Sequence, residues 1–343
     1  MTWIVGAKCV DGLVCIGDVQ VTIQHRDGTR QYFDCLQKVH KIYDNAICGF
    51  SGDVRVGLEM IRDMQIELEA GLRPNNHIFD LDGELEIFRK AMARSYSHHS
   101  KRKSESVELM ILWSAPENED GTGVYQYYCW SFRSPDFKQR GTGAVQRAMQ
   151  SGSGSTDSGY KPIITFLDGK RGLGDAYREV LDLPENAEFN VTARKYRTMV
   201  MDAASQVHCP GVSQFFHGFE AIVDTSQMHD PEIMEKVSEL FTKAGIKKQT
   251  PDGGSAIRLN PQDLPLWFPK LDNKTRVELA YWIKKAHETM DVSAYFKPLE
   301  FEFFTNIDSP DQLDSGILFS KWESLAEFLD SEGVNVKGVQ AVA

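Results

Sequence analysis

Along the first third of this chain the hydrophobic period runs from two to about 3.6 and back to two, an order few folds accommodate. Residues 2–9 read as a strand, and Asp11-Gly12 turns the chain into a second strand over 13–17. Residues 38–43 and 46–50 form another apolar pair around Asp44-Asn45, residue types that tolerate a tight turn. After Ser51-Gly52-Asp53 the pattern turns helical: Val54, Leu58, Ile61, Met64 and Leu68 share one face until Gly71 closes the element. Leu81, Leu85, Phe88, Met92 and Tyr96 repeat that spacing. Strands return over 107–113 and 124–132, then a helix over 189–207 and a strand over 215–223. This succession predicts an α+β protein with helices on both faces of a layered antiparallel sheet.

From about residue 230 helix punctuation takes over. Asp230 and Pro231 suit the start of a helix carrying Ile233, Val237, Leu240 and Phe241, with Gly245 closing it. Asn273 suits the cap of a second, carrying Val277, Ala280 and Ile283, and Ser320-Lys321-Trp322-Glu323 reads as a capping box before Leu325, Phe328 and Leu329. Between them lies a loop-rich stretch in which Trp267, Phe268, Phe301, Phe303 and Phe304 form either a small core or a docking surface. With 343 residues, beyond the size at which single cores usually split, the expected organisation is a domain over 1–230 and a mainly helical extension over 231–343.

Charge excludes one class of partner. A net charge of -11 gives no basic footprint for nucleic acid, and Lys101, Arg102 and Lys103 are too short a cluster to supply one. No apolar run approaches the ~20 residues of a membrane helix, and no secretory leader is legible, so the expectation is a cytoplasmic protein with no membrane partner. The six cysteines are scattered without ligand spacing, which suggests reduced, mostly buried thiols. Neither a Walker loop nor a dinucleotide loop is found, and His98-His99 and His208-Cys209 read as structural, so neither cofactor nor metal is expected.

Threonine at position 2 gains meaning if Met1 is removed. A free α-amino group, of pKa about 8, then sits on the same residue as a hydroxyl, and the two form a base and nucleophile pair. The hairpin returns Asp18 toward this residue. Lys38, heading a strand expected in the same sheet, is the type of group that favours an ionised hydroxyl, and an aspartate would hold such a lysine in place. Gly52, just before a helix, offers an unobstructed backbone N–H to a carbonyl oxygen. Residues 151–159 read by composition as a flexible linker or as a loop exposing backbone N–H groups.

Thr2-Trp3-Ile4-Val5-Gly6, the Asp11-Gly12 turn, Gly17-Asp18, Gln37-Lys38-Val39 and Gly49-Phe50-Ser51-Gly52 together resemble the opening of proteasome β subunits and their bacterial two-component relative, in the same order and nearly the same spacing. The resemblance covers about the first 70 residues and fades beyond 100. It implies a four-layer αββα N-terminal-nucleophile hydrolase sandwich, here with a helical C-terminal appendage. Carried over, Thr2 is the catalytic nucleophile, Asp18 and Lys38 assist it, Gly52 supplies the oxyanion N–H, and Phe50 occupies the substrate-pocket position, suggesting a shallow pocket. A serine and a glycine of a further loop correspond to Ser153 and Gly154, with Gly141-Thr142-Gly143 the alternative, and on this ground 151–159 is a structured loop. Gln206 and Cys209 stand where the family has an aspartate and a serine, a departure that removes a carboxylate from the implied proton-handling set. The implied activity is threonine peptidase cleavage of peptides or unfolded proteins within a homo-oligomeric ring, served by an ATP-dependent unfoldase. A weak or inactive ring subunit that binds partners, or an amidase for small amides, are the alternatives.

Overall fold

The computed structural model describes residues 2–9, 12–43, 46–70, 81–102, 105–116, 125–140, 148–156, 159–161, 163, 193–204, 206–209, 211–222, 299–305, 310–336 and 340–343, with isolated helical positions between 232 and 285. It is an α+β protein of antiparallel sheets and helices. The strands are β1 (Ile4–Cys9), β2 (Gly12–Asp18), β3 (Gln20–Gln24), β4 (Arg30–Asp34), β5 (Val39–Tyr43), β6 (Ala46–Gly52), β7 (Val107–Pro116), β8 (Tyr125–Arg133), β9 (Lys138–Arg140), β10 (Ala148–Ser151), β11 (Phe216–Ile222), β12 (Leu299–Thr305) and β13 (Gln340–Val342). The longer helices are α1 (Val54–Glu69), α2 (Leu81–His99), α3 (Ala193–Ala204) and α4 (Trp322–Ser331).

One five-stranded sheet runs β10-β1-β2-β11-β12, another β5-β6-β7-β8-β9, and a three-stranded sheet β13-β3-β4. The pairing register concentrates several strand ends at one place. Ile4 stands opposite both Gly17 of β2 and Ser151 of β10, while Asp18 stands opposite Phe216 of β11. The residues just before Ile4, just after Ser151 and just before Phe216 therefore meet around Asp18.

Lys38 departs from expectation here. It leads into β5, which belongs to the other five-stranded sheet, so it approaches the hairpin from a facing sheet and not along a shared one. Local apolar pattern marks a strand but not the sheet it joins.

Three apolar clusters hold these elements. In the first, Val54, Leu58, Ile61, Met64 and Leu68 of α1, all buried, join Phe88 and Met92 of α2 against Cys48, Phe50, Leu109, Ile111, Trp113 and Trp130 of β6, β7 and β8. Burial is worth about 1.5–3 kcal/mol for each such aliphatic side chain. The second brings Tyr196, Val200 and Ala204 of α3 onto Val5, Val14, Ile16 and Phe216. The third gathers Ile4, Leu13 and Cys15 with Val39, Ile47, Met110 and Leu112, and so contains residues of both five-stranded sheets.

The region beyond 230 contributes more than helix. β12 pairs with β11 along its whole length, Phe216 opposite Thr305, and β13 pairs with β3. Of the phenylalanines in that stretch, Phe303 is buried in the second cluster while Phe301 and Phe304 are exposed. α4 forms where Leu325 and Leu329 are buried, but its N-cap is Lys321 and no side chain caps it, so the Ser320 capping box is not made. Its C-terminal end closes on a glycine at φ +81°: the N–H of Gly333 donates to Asp330 O and that of Val334 to Leu329 O. At the start of the second expected helix, Thr275 donates its N–H to the Asp272 carboxylate at 3.0 Å. Asp230, Pro231, Asn273, Trp267 and Phe268 lie outside the described residues. Among the described residues no helix is long and apolar enough to cross a membrane.

Candidate active site

Thr2 is fully buried at the mouth of β1. Lys38 Nζ donates to its Oγ1 at 3.2 Å and to Asp18 Oδ2 at 2.8 Å, so one ammonium spans hydroxyl and carboxylate. Four donors converge on Asp18: Lys38, the N–H of Trp3 on Oδ1 at 2.8 Å, and the N–H groups of Gln20 and Ser213 on Oδ2 at 3.2 and 3.4 Å. Such convergence offsets the cost of burying the charge. Burial pushes the Lys38 ammonium below its ordinary pKa, opposed first by the Asp18 charge and hydrogen bond. A lysine so placed gives up its proton more readily than one in water.

The loop after β10 wraps the other side of Thr2. The Thr2 backbone N–H donates to Ser153 Oγ at 3.1 Å, and the N–H of Gly154 donates to Thr2 O at 2.8 Å. Gly152 makes this wrap with φ +87°, and a Cβ there would stand 2.3 Å from Thr2 O, so both conformation and space demand glycine. Trp3 anchors the same region, its ring packed at a tilt of 39° against that of Tyr160 with centroids 4.5 Å apart. Residues 153–156 form a short 3-10 turn, an ordered structure where composition alone suggests a linker. Gly141-Thr142-Gly143 lies outside the described residues.

Gly52 closes β6 at φ +108°, where a Cβ would stand 2.0 Å from Ser106 O. The neighbouring Ser51 hydroxyl pairs with the Ser151 hydroxyl at 2.9 Å and ties the end of β6 to the end of β10. The N–H of Gly52 donates to Ala343 O at 3.1 Å, and its carbonyl accepts from the N–H of Ala343 at 2.7 Å. Phe50 is buried in the α1 cluster, its ring 6.1 Å from His40 and packed against Gly57 of α1.

Gln206 is exposed, and Cys209 packs in the cluster with Trp3 and Tyr160. Beside Asp18 stands Ser213, a residue the sequence reading passes over. Its hydroxyl accepts from Phe215 N at 2.9 Å and also bonds the Asp34 carboxyl. Asp34, likewise unanticipated, receives Gln20 Nε2 at 3.3 Å; burial raises its pKa, with the Asp314 and Asp18 charges adding to the rise and the Ser213 and Gln20 hydrogen bonds opposing it. The signal that finds both is strand register: Ser213 lies three residues before Phe216, the partner of Asp18, and Asp34 faces Gln20 across β3 and β4. Among the described residues no group of three His, Cys, Asp or Glu side chains converges as metal ligands do. Compared with known proteins, the chain matches no family model and no curated sequence.

Proposed function

We propose that this chain is an N-terminal-nucleophile hydrolase of the proteasome β-subunit type, a threonine peptidase whose Thr2 becomes the first residue when Met1 is removed. The observation that carries the reading is the Lys38 ammonium held between Thr2 Oγ1 at 3.2 Å and Asp18 Oδ2 at 2.8 Å. In the reaction, Thr2 Oγ1 attacks an amide carbonyl while its proton passes to the freed α-amino group, positioned by Ser153 Oγ. Lys38 lowers the cost of the ionising oxygen, and Gly52 N–H stabilises the oxyanion. The leaving amine takes the proton, and water then hydrolyses the ester, restoring Thr2.

The three apolar clusters support a four-layer αββα arrangement, with α1 and α2 outside one sheet, α3 outside the other, and the third cluster between them. A cytoplasmic homo-oligomeric ring fed by an unfoldase extends the same proposal on the sequence resemblance alone. A second reading, a weak or inactive ring subunit, is favoured by the exposure of Gln206 and the apolar packing of Cys209, where the resemblance calls for an aspartate and a serine.

Intact mass spectrometry comes first and should find the chain without Met1. A fluorogenic peptide should then be cleaved by the wild type, with at least a hundredfold loss in Thr2→Ala, since that variant has no attacking oxygen. Retention of Met1, or hydrolysis indifferent to Thr2→Ala, refutes the peptidase.

A further inference from the structure

The N–H that the proposed mechanism assigns to the oxyanion is already bonded to a carbonyl of this same chain. Residues 340–343 run as an extended strand with partners on both edges. On one side β13 pairs antiparallel with β3, Gln340 opposite Gln24, Ala341 opposite Ile23 and Val342 opposite Thr22. On the other, Val342 forms a bridge with Asp53, and Ala343 exchanges both backbone hydrogen bonds with Gly52, at 2.7 and 3.1 Å. Ala341 and Ala343 are buried in the cluster that contains Val21, Leu36, Phe50 and Val54. An extended peptide that adds to a sheet edge binds by this combination, main-chain ladders for affinity and alternate side chains in pockets for selectivity.

We infer that residues 340–343 are an internal ligand of the Thr2 site, an autoinhibitory strand that must leave the groove between β3 and the Gly52–Asp53 turn before a peptide can enter. The inference rests on the reading of Thr2 and Gly52 given above. One N–H cannot serve the Ala343 carbonyl and a reacting carbonyl together, so occupancy and turnover exclude each other. A segment of four residues is short enough to open locally without global unfolding.

Binding is tested apart from chemistry. In a Thr2→Ala background, fluorescence anisotropy of a fluorescein-labelled Gln-Ala-Val-Ala peptide is compared between the full chain and a chain deleted from Gln340 onward. The deleted chain should bind at least tenfold tighter. Ala343→Pro, which removes the N–H given to Gly52 O, should move in the same direction and decides the matter if the deletion disturbs folding, as circular dichroism will show. Equal binding by intact and opened chains, or binding by none of them, overturns the inference. With Thr2 restored, deletion should raise peptide hydrolysis severalfold. Tighter binding without hydrolysis leaves the autoinhibitory strand standing and removes the peptidase, so the two failures are distinct.

Discussion

Lys38 and Asp18 are both fully buried, and such a pair stabilises less than the cost of breaking it. In Lys38→Met the Asp18 carboxylate keeps its three backbone donors but loses its counter-charge. The expected loss is about 3–5 kcal/mol in urea unfolding. Adding Asp18→Asn should recover part of it, because the orphaned charge goes with it; a double variant no better than the single contradicts the assignment. His40 sets a second test. Burial holds its imidazole down to about 3 from 6.5, although Nε2 donates to Gln37 O at 2.9 Å. Between those values the unfolded chain binds a proton that the folded one refuses, so stability rises with pH there. The contribution is whole above pH 6.5 and is lost as pH falls toward 3, a span of about 3–5 kcal/mol. Unfolding free energies from pH 7 to 4 should therefore fall less steeply for His40→Gln than for the wild type, and parallel curves would refute the burial of a neutral His40.

At the scale of elements, α1 begins where Asp53 accepts the N–H of Val56 at 3.0 Å. Asp53→Ala should cost about 1 kcal/mol, with Asp53→Ser recovering most of it, as read by chemical denaturation; an unchanged midpoint in Asp53→Ala would mean that the cap contributes nothing. Asp53 also shows what a sequence discloses. Helical period is a local signal, and the five apolar positions of α1 that the spacing predicts are all buried, joined there by Val56, Gly57 and Met60. β4 carries no such signal: Arg30, Gln31 and Tyr32 are exposed and break any alternation, so the strand that supplies Asp34 to the site is silent until it pairs with β3. Ser153 is reached only through the family resemblance, whereas Thr2, Asp18 and Lys38 are legible because each stands at a strand end with a recognisable neighbour. Ser213 is not, because only the β2 and β11 register brings it to Asp18. Ser320 errs for a related reason: a capping box is a statement about four residues, and the packing of Leu325 and Leu329 against α1's cluster decides where α4 starts.

For the whole molecule, the question is whether the region beyond 230 is a separate unit. Composition and length suggest a boundary there, yet its described strands are woven into the earlier sheets. β12 covers the edge of β11, Glu302 reaches His217 at 2.8 Å, and Phe303 enters the cluster with Trp3 and Phe216, where the Arg197 guanidinium lies 4.6 Å from its ring centroid. Sheet edges stripped of such a partner invite intermolecular pairing. A unit that shares a sheet and a core with its neighbour cannot melt alone, so calorimetry should find a single transition with matching calorimetric and van't Hoff enthalpies. Phe303→Ala locates the coupling. Loss of a buried phenylalanine costs about 3–5 kcal/mol, and here that cost should lower the one transition as a whole. A wild type that melts in two steps, or a Phe303→Ala variant in which only a minor transition moves, would show that β12 is docked on the sheet without being part of its cooperative unit.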